Sequence, residues 1–448
     1  MLLKTTIKGA NVRLASAILG IGFSALYLYF YANHIITSPI CCDIAEYFDY
    51  GSEIEANGLW GICHGFRTYM FPLYLSLLPF NLESRLAFLY SFVYIQSLLF
   101  LVLSCTVLFQ MRKSKYFFPF LVGICINPIV LIYIPLPLTE SLVCVVIITL
   151  LGIAANIDRI KPMVFLVAAG SVGGSFVAIR PASVSVSAGL LAFCLLYIWR
   201  RHMDKMRALA AYKPLASWVM LLSLFVSLAV PISIQYYLNY KNCNKTGLII
   251  RDLGEEQLKW GIEYNKYGTV YQPLNDKFAG MRYETGITPP DDKRYLLFYF
   301  RHPVKGLKLA LTHIYSALNY DFMDTYVHTK HKRIYFYQIL SSLTTILGFL
   351  GMGYCWTRNF RRREIPVDLY TLADFLILFS LPVLAVVAVE TRYGLIPSML
   401  LSVRAVGLLF EVKNMRTRTM MIFLAVTLAY VVLSVYFSDH LYSNVKVY

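Results

Sequence analysis

Apolar stretches of about twenty residues recur along nearly the whole chain, and no other feature limits its folds so strongly. Lipid offers backbone amides no hydrogen-bond partner, so a chain crossing it does so as helices or as a closed barrel. With a ruler of about twenty apolar residues per crossing, about eleven helical spans are predicted. They cover roughly 14–36, 86–109, 116–134, 140–157, 162–179, 182–199, 215–238, 334–356, 368–389, 393–412 and 419–437. Of 448 residues, 58% are hydrophobic and 15% charged, where a soluble protein carries about a quarter charged. The expected fold is therefore an all-α polytopic membrane protein with one helical body. Met70–Phe80 is too short to cross and suits an interfacial or re-entrant helix. The first apolar run, Leu14 to about Ile36, exceeds a signal peptide's core and has no A-x-A-like site after it. It reads as the first transmembrane helix.

The formal charge of +16 would suggest nucleic acid in a soluble chain. Here the basic residues cluster between spans, as cytoplasmic loops require, so no nucleic-acid partner is expected. The clusters are Lys4/Lys8/Arg13, Arg112-Lys113/Lys115, Arg159/Lys161, Arg200-Arg201/Lys205/Arg207, Arg358/Arg361-Arg362-Arg363 and Lys413/Arg416/Arg418. With eleven spans all six fall on one side. That arrangement predicts a cytoplasmic N-terminus and an external C-terminus.

Two long external segments result, 37–85 and 239–333, and the chain divides into 1–238, 239–333 and 334–448. Long ordered loops between membrane helices tend to carry function. In the second segment Pro303 is placed to open a helix. Val304, Leu307, Leu311, Ile314 and Leu318 follow at helical spacing, with Lys305, Lys308 and His313 among them. The expectation is an amphipathic helix on the membrane surface. Cys41, Cys42, Cys63 and Cys243 fall outside, and a disulfide from Cys41 or Cys42 to Cys63 is one option. Cys105, Cys125, Cys144, Cys194 and Cys355 lie within spans as small core residues. Asn244-Lys245-Thr246 matches a glycosylation sequon, a triplet that also arises by chance. His64, His302, His313, His328 and His331 form no metal spacing. No phosphate-binding glycine loop or nucleophile elbow is present.

Cations on the external side run against positional bias and need an explanation. Arg180 caps the hairpin before Pro181, Arg392 sits in Glu390-Thr391-Arg392-Tyr393, and Arg67 precedes Tyr69 and Pro72. Each has a bland reading: snorkelling to headgroups, or an ion pair such as Glu390–Arg392. Three together favour an anionic ligand, because guanidinium grips phosphate bidentately. Asp43 and Glu46 follow the first span, where an acid is also a common helix cap. Glu140, after Thr139, is either an N-terminal charge favoured by the helix dipole or part of a cavity wall.

Five stretches carry a resemblance: Asp43, Tyr47 and Gly58 in CCDIAEYFDYGSEIEANGLW, then FRTYMFPLYLSLLP, LPLTESL, AIRPAS and VETRYGLIPSML. In order and sidedness they resemble the GT-C-fold glycosyltransferases that use polyprenyl-phosphate sugars, the superfamily of protein O-mannosyltransferases and lipid A aminoarabinose transferases. The resemblance implies a GT-C-like bundle with juxtamembrane helices in its external loops. It also implies inverting hexosyl or pentosyl transfer on the outer face of a bacterial inner membrane or the lumenal face of an endoplasmic reticulum. Asp43 would be the general base, and Arg180, Arg392 and Arg67 would hold the donor phosphate. Glu46, Glu140, Glu390 and Tyr393 would support the site or the acceptor. The acceptor would be a glycan, lipid or protein, with no required cofactor and a divalent metal optional. A polysaccharide polymerase or O-antigen ligase would instead centre on Arg282, Arg294 and His313. A transporter of lipid-linked glycans would show charges at mid-membrane, and the sequence places charges only at helix ends.

Overall fold

A computed structural model describes residues 2–36, 42–63, 67–78, 84–208, 215–248, 253–272, 277–321, 334–362, 364–387, 389–443 and 445–447. Cys41, His64, His328 and His331 lie outside the described residues. The first half runs α1 (Leu2–Ile36), α2 (Cys42–Asn57), α3 (Met70–Ser76), α4 (Arg85–Met111), α5 (Phe117–Phe120), α6 (Pro128–Tyr133), α7 (Thr139–Ala154), α8 (Pro162–Ile179), α9 (Val184–Ala208) and α10 (Leu215–Cys243). The 239–333 segment holds α11 (Leu253–Glu263), β1 (Tyr264–Gln272), β2 (Lys277–Glu284), α12 (Tyr295–Arg301) and α13 (Pro303–Leu318). The chain then continues through α14 (Tyr335–Arg362), α15 (Leu369–Val386), α16 (Leu395–Glu411), α17 (Thr417–Tyr442) and β3 (Val445–Val447).

Among the described residues nine helices are long and apolar enough to cross a membrane: α1, α4, α8, α9, α10 and α14 to α17. The chain is thus a helical, multi-pass membrane protein. Two of the eleven expected spans take another form. The stretch 116–134 is broken into α5, a five-residue π turn and α6. Pro128 cannot donate to a continuing helix, and Asn127 caps the restart by accepting from the Ile129 amide at 3.0 Å. Its amide nitrogen donates to Gly123 O and Ser402 Oγ, both at 3.0 Å. A Cβ on Gly123 would lie 2.7 Å from the Val403 nitrogen, so the π turn lies directly on the α16 backbone. Irregular backbone is tolerated at membrane depth where protein buries it, and Ile129 to Ile134 are all buried. The stretch 140–157 is the 16-residue α7, short for a crossing.

Close helix contact is built on glycine. Gly170 and Gly174 sit four apart on α8, and Cβ atoms there would lie 2.6 Å from Leu224 O and 2.4 Å from Leu228 O of α10. Small residues at this spacing let membrane helices approach backbone to backbone.

The two ends of the bundle differ. At one end Arg13 donates to Arg112 O at 2.7 Å, Lys115 pairs with Asp368 at 3.3 Å, and Arg358 pairs with Glu411 at 2.8 Å. The opposite end carries α2, α3 and the elements α11 to α13. There a hairpin that sequence periodicity did not reveal pairs Tyr267 with Arg282 and Tyr271 with Phe278, and β3 adds Val447 beside Met281. The apolar face expected on α13 is divided: Val304, Leu307 and Leu311 are exposed while Leu318 is buried.

Candidate functional site

Five pieces of chain converge at that second end. Asp43, Glu46 and Tyr47 share one face of α2, as positions three and four apart must. Arg67 lies on the segment leading to α3. Glu140 opens α7 and Arg180 closes α8, where Pro181 bars continuation. Glu390 and Arg392 occupy the short turn Thr391–Gly394 and the residue before it. All of them line one cavity of about 750 Å³.

Charges alternate around its wall. Asp43 Oδ1 accepts from Arg67 Nη2 at 2.6 Å and Oδ2 from Arg392 Nη2 at 2.7 Å. Arg67 Nε donates to Glu46 at 2.9 Å, and its guanidinium lies 4.7 Å from the Tyr47 ring centre. Arg180 Nη1 donates to Glu140 Oε1 at 2.6 Å and stacks 4.2 Å from the Tyr393 ring centre. Arg392 Nε pairs with Glu390 and stands 3.9 Å from Glu140. Every predicted site residue is therefore in one constellation. The reading that arginines wait for an anion needs revision in one respect: each already holds a carboxylate, and the cluster has four acids to three guanidinium groups.

Two of the acids respond to this setting in opposite directions. Burial pushes the Asp43 carboxyl up, but Arg392 and Arg67 outweigh it and hold the group well below the usual carboxylate range. Burial raises Glu390, with Arg392 opposing and Asp43 adding to the rise, so the net shift is upward.

The rim is fixed by polar ties between segments. Thr68 Oγ1 donates to Ile179 O at 3.1 Å, and the Tyr69 amide donates to Gln235 Oε1 at 2.7 Å. Asn242 Nδ2 donates to Ile62 O at 2.6 Å. Beside it Cys63 is bonded to Cys243, Cα to Cα 5.6 Å. Cys41 or Cys42 was one option as partner of Cys63; the 62–63 segment instead runs along the end of α10, which brings Cys243 alongside. Sequence reasoning also missed Glu256, Gln257, Trp260 and Tyr267, which line the same cavity from α11 and β1. The acidic, tryptophan-bearing run GEEQLKWGIEY was the only signal for them.

The alternative centre is elsewhere. His313 is buried with its ring nitrogens 3.0 Å from Ala385 O and Tyr264 O. Arg282 reaches the Tyr264 hydroxyl at 3.4 Å, and neither these residues nor Arg294 lines the cavity. Charges are also not confined to helix ends: Arg404 of α16 and Asp374 of α15 are buried and pair at 2.9 Å. Among the described residues no group of three His, Cys, Asp or Glu side chains is arranged to hold a metal ion. No protein-family model matches the chain, and no curated protein sequence matches it.

Proposed function

We propose that the chain is a membrane glycosyltransferase that moves a sugar from a polyprenyl-phosphate donor to an acceptor hydroxyl at the external face. One observation carries this reading: Asp43 stands between Arg67 and Arg392 on the wall of a single cavity. The cavity is lined by apolar Val143, Val186, Val383 and Leu384 from within α7, α9 and α15 and by the charged cluster at the helix ends. That gradient suits an amphiphile whose lipid lies among helices and whose phosphate meets guanidinium. The Cys63–Cys243 bond agrees with an oxidising compartment on that side, and the basic clusters at the other end agree with a cytoplasmic face. A bacterial inner membrane with the site facing the periplasm fits both.

In the reaction the acceptor oxygen attacks the anomeric carbon from the side opposite the phosphate. The carbon–phosphate oxygen bond breaks, its electron pair leaves on the phosphate, and Asp43 takes the hydroxyl proton. Arg392 and Arg180 meet the charge growing on the leaving group. Asp43 is a weak base while both its oxygens hold guanidinium. A donor phosphate that draws Arg392 away frees Oδ2 and raises the basicity of Asp43, so binding of the donor prepares the base. Asp43→Asn should lower sugar transfer from a polyprenyl-phosphate sugar by about 10²–10⁴, measured with purified protein in nanodiscs; full activity would exclude the mechanism.

A second reading, passage of a lipid-linked glycan through the bundle, draws on the broken α5–α6 stretch and the internal Asp374–Arg404 pair. Transport needs two compartments and transfer does not. Product formed in detergent micelles therefore decides for the enzyme.

A further inference from the structure

The upper wall of the cavity is made by Glu256, Gln257 and Trp260 of α11 and by Tyr267 of β1. None of them serves the transfer step described above. Trp260 stacks nearly parallel on Tyr267, ring centres 6.2 Å and planes 19° apart, giving the cavity a flat aromatic surface. That surface is firmly mounted. A Cβ on Gly261 would lie 2.3 Å from Val386 O, so α11 lies directly on the end of α15. The Tyr267 amide donates to Val389 O at 2.9 Å, one residue before Glu390. Beside the rings, the Gln257 side-chain oxygen is buried and meets no hydrogen-bond partner among the described residues. A buried acceptor left unmet is costly, and it marks where a donor belongs.

We infer that this roof is the subsite for a pyranose ring of the acceptor, so that the acceptor is a glycan. This rests on the transferase reading. A sugar ring offers a flat C–H face for Trp260 and a rim of hydroxyl donors for the Gln257 oxygen and the Glu256 carboxylate. An acyl chain would leave both acceptors unmet. A peptide supplies donors but no flat C–H face to lie on the indole. The polar roof and the apolar floor thus sort the two substrates by polarity, with Asp43 between Arg67 and Arg392 on the wall they share.

The test uses the full chain in nanodiscs with methyl β-D-glucopyranoside and methyl β-D-galactopyranoside as probes, read by saturation-transfer difference NMR. Wild-type protein is expected to saturate the ring C–H protons of at least one glycoside. Trp260→Phe retains this binding and Trp260→Ala weakens it about tenfold. No signal from wild-type protein, or equal binding by Trp260→Ala, overturns the subsite. If Trp260→Ala does not fold, Gln257→Met decides: weaker binding supports the subsite and unchanged binding overturns it. A fully active Asp43→Asn protein would remove the transfer reading, whereas the glycoside titration reports on the roof alone.

Discussion

The protein buries ionic groups in two kinds of place, and the contrast between them is instructive. Lys266 of β1 meets Asp321 at 2.5 Å and Asn319 O at 3.1 Å, and Asp321 also accepts from Ser438 of α17 at 2.7 Å. Asp374 and Arg404 form a comparable pair, joined by Trp356 Nε1 at 2.9 Å and Gly351 O at 3.0 Å. Both pairs are sealed, and each cation has one carboxylate beside it. Around Arg392 three carboxylates gather instead, and the side chains grade from 3% exposed at Glu140 to 19% at Asp43 and 47% at Glu46. Burial and pairing are common to both places. The second lines a cavity and carries more acids than cations. A sealed pair holds one arrangement; in the open cluster Arg392 has more than one carboxylate within reach.

The contrast breaks most visibly if the sealed pair is cut. Lys266→Met removes the ammonium that faces the buried Asp321 carboxylate and should cost about 3–5 kcal/mol of stability, read by denaturant unfolding in detergent. Transfer per folded molecule should be unchanged, and a stability near wild type would erase the distinction. At the open cluster the same logic reverses. Arg392→Lys keeps the charge but loses the planar fork, and should lower transfer by about 10²–10³ with little change in the unfolding midpoint. Equal losses in both assays would make Arg392 another structural cation.

Acidity sharpens the comparison further. A carboxyl raised by folding favours the folded state in its protonated form, so the Glu390 contribution is full below the unfolded glutamate value of about 4.3 and fades as pH rises through its folded value. Asp43, lowered by its arginines, contributes above about 3.9 and loses that contribution only on stronger acidification. Mild acid should therefore discharge Glu390 first and release Arg392 from one acid while Asp43 stays ionised. The donor KM should fall several-fold as the pH is lowered through the raised folded value of Glu390, and Glu390→Gln should flatten the profile; a slope that persists in the variant assigns it elsewhere. The smallest effect is expected at the rim. Glu46→Gln removes a half-exposed partner of Arg67 and should change transfer about twofold or less. A much larger loss would move Glu46 into the reacting set.

Sequence reasoning reached Asp43, Arg67, Arg180 and Arg392 because lipid makes a misplaced charge conspicuous within a few residues of a helix end. It reached the nine long spans because a crossing helix needs about twenty apolar residues. The broken stretch at Asn127-Pro128 looked like a span because hydropathy counts apolar side chains and ignores whether the backbone continues. The roof was hidden because α11 is short and its tryptophan gains meaning only where the chain returns to Glu390. The Cys63–Cys243 pairing joins positions 180 residues apart, and cysteine spacing alone has no access to such contacts. The internal Asp374–Arg404 pair was overlooked because each residue sits singly in a strongly apolar helix.

The separation of the cluster along the chain has a consequence for biogenesis. Asp43 and Arg392 are 349 residues apart, and Arg67 is anchored near a bond that closes only when α10 has been threaded into the bilayer. The first acid is thus synthesised long before either of its cations is secured. During assembly the cavity stays incomplete until almost the last helices arrive, so on the transferase reading truncated or stalled chains are expected to be inert.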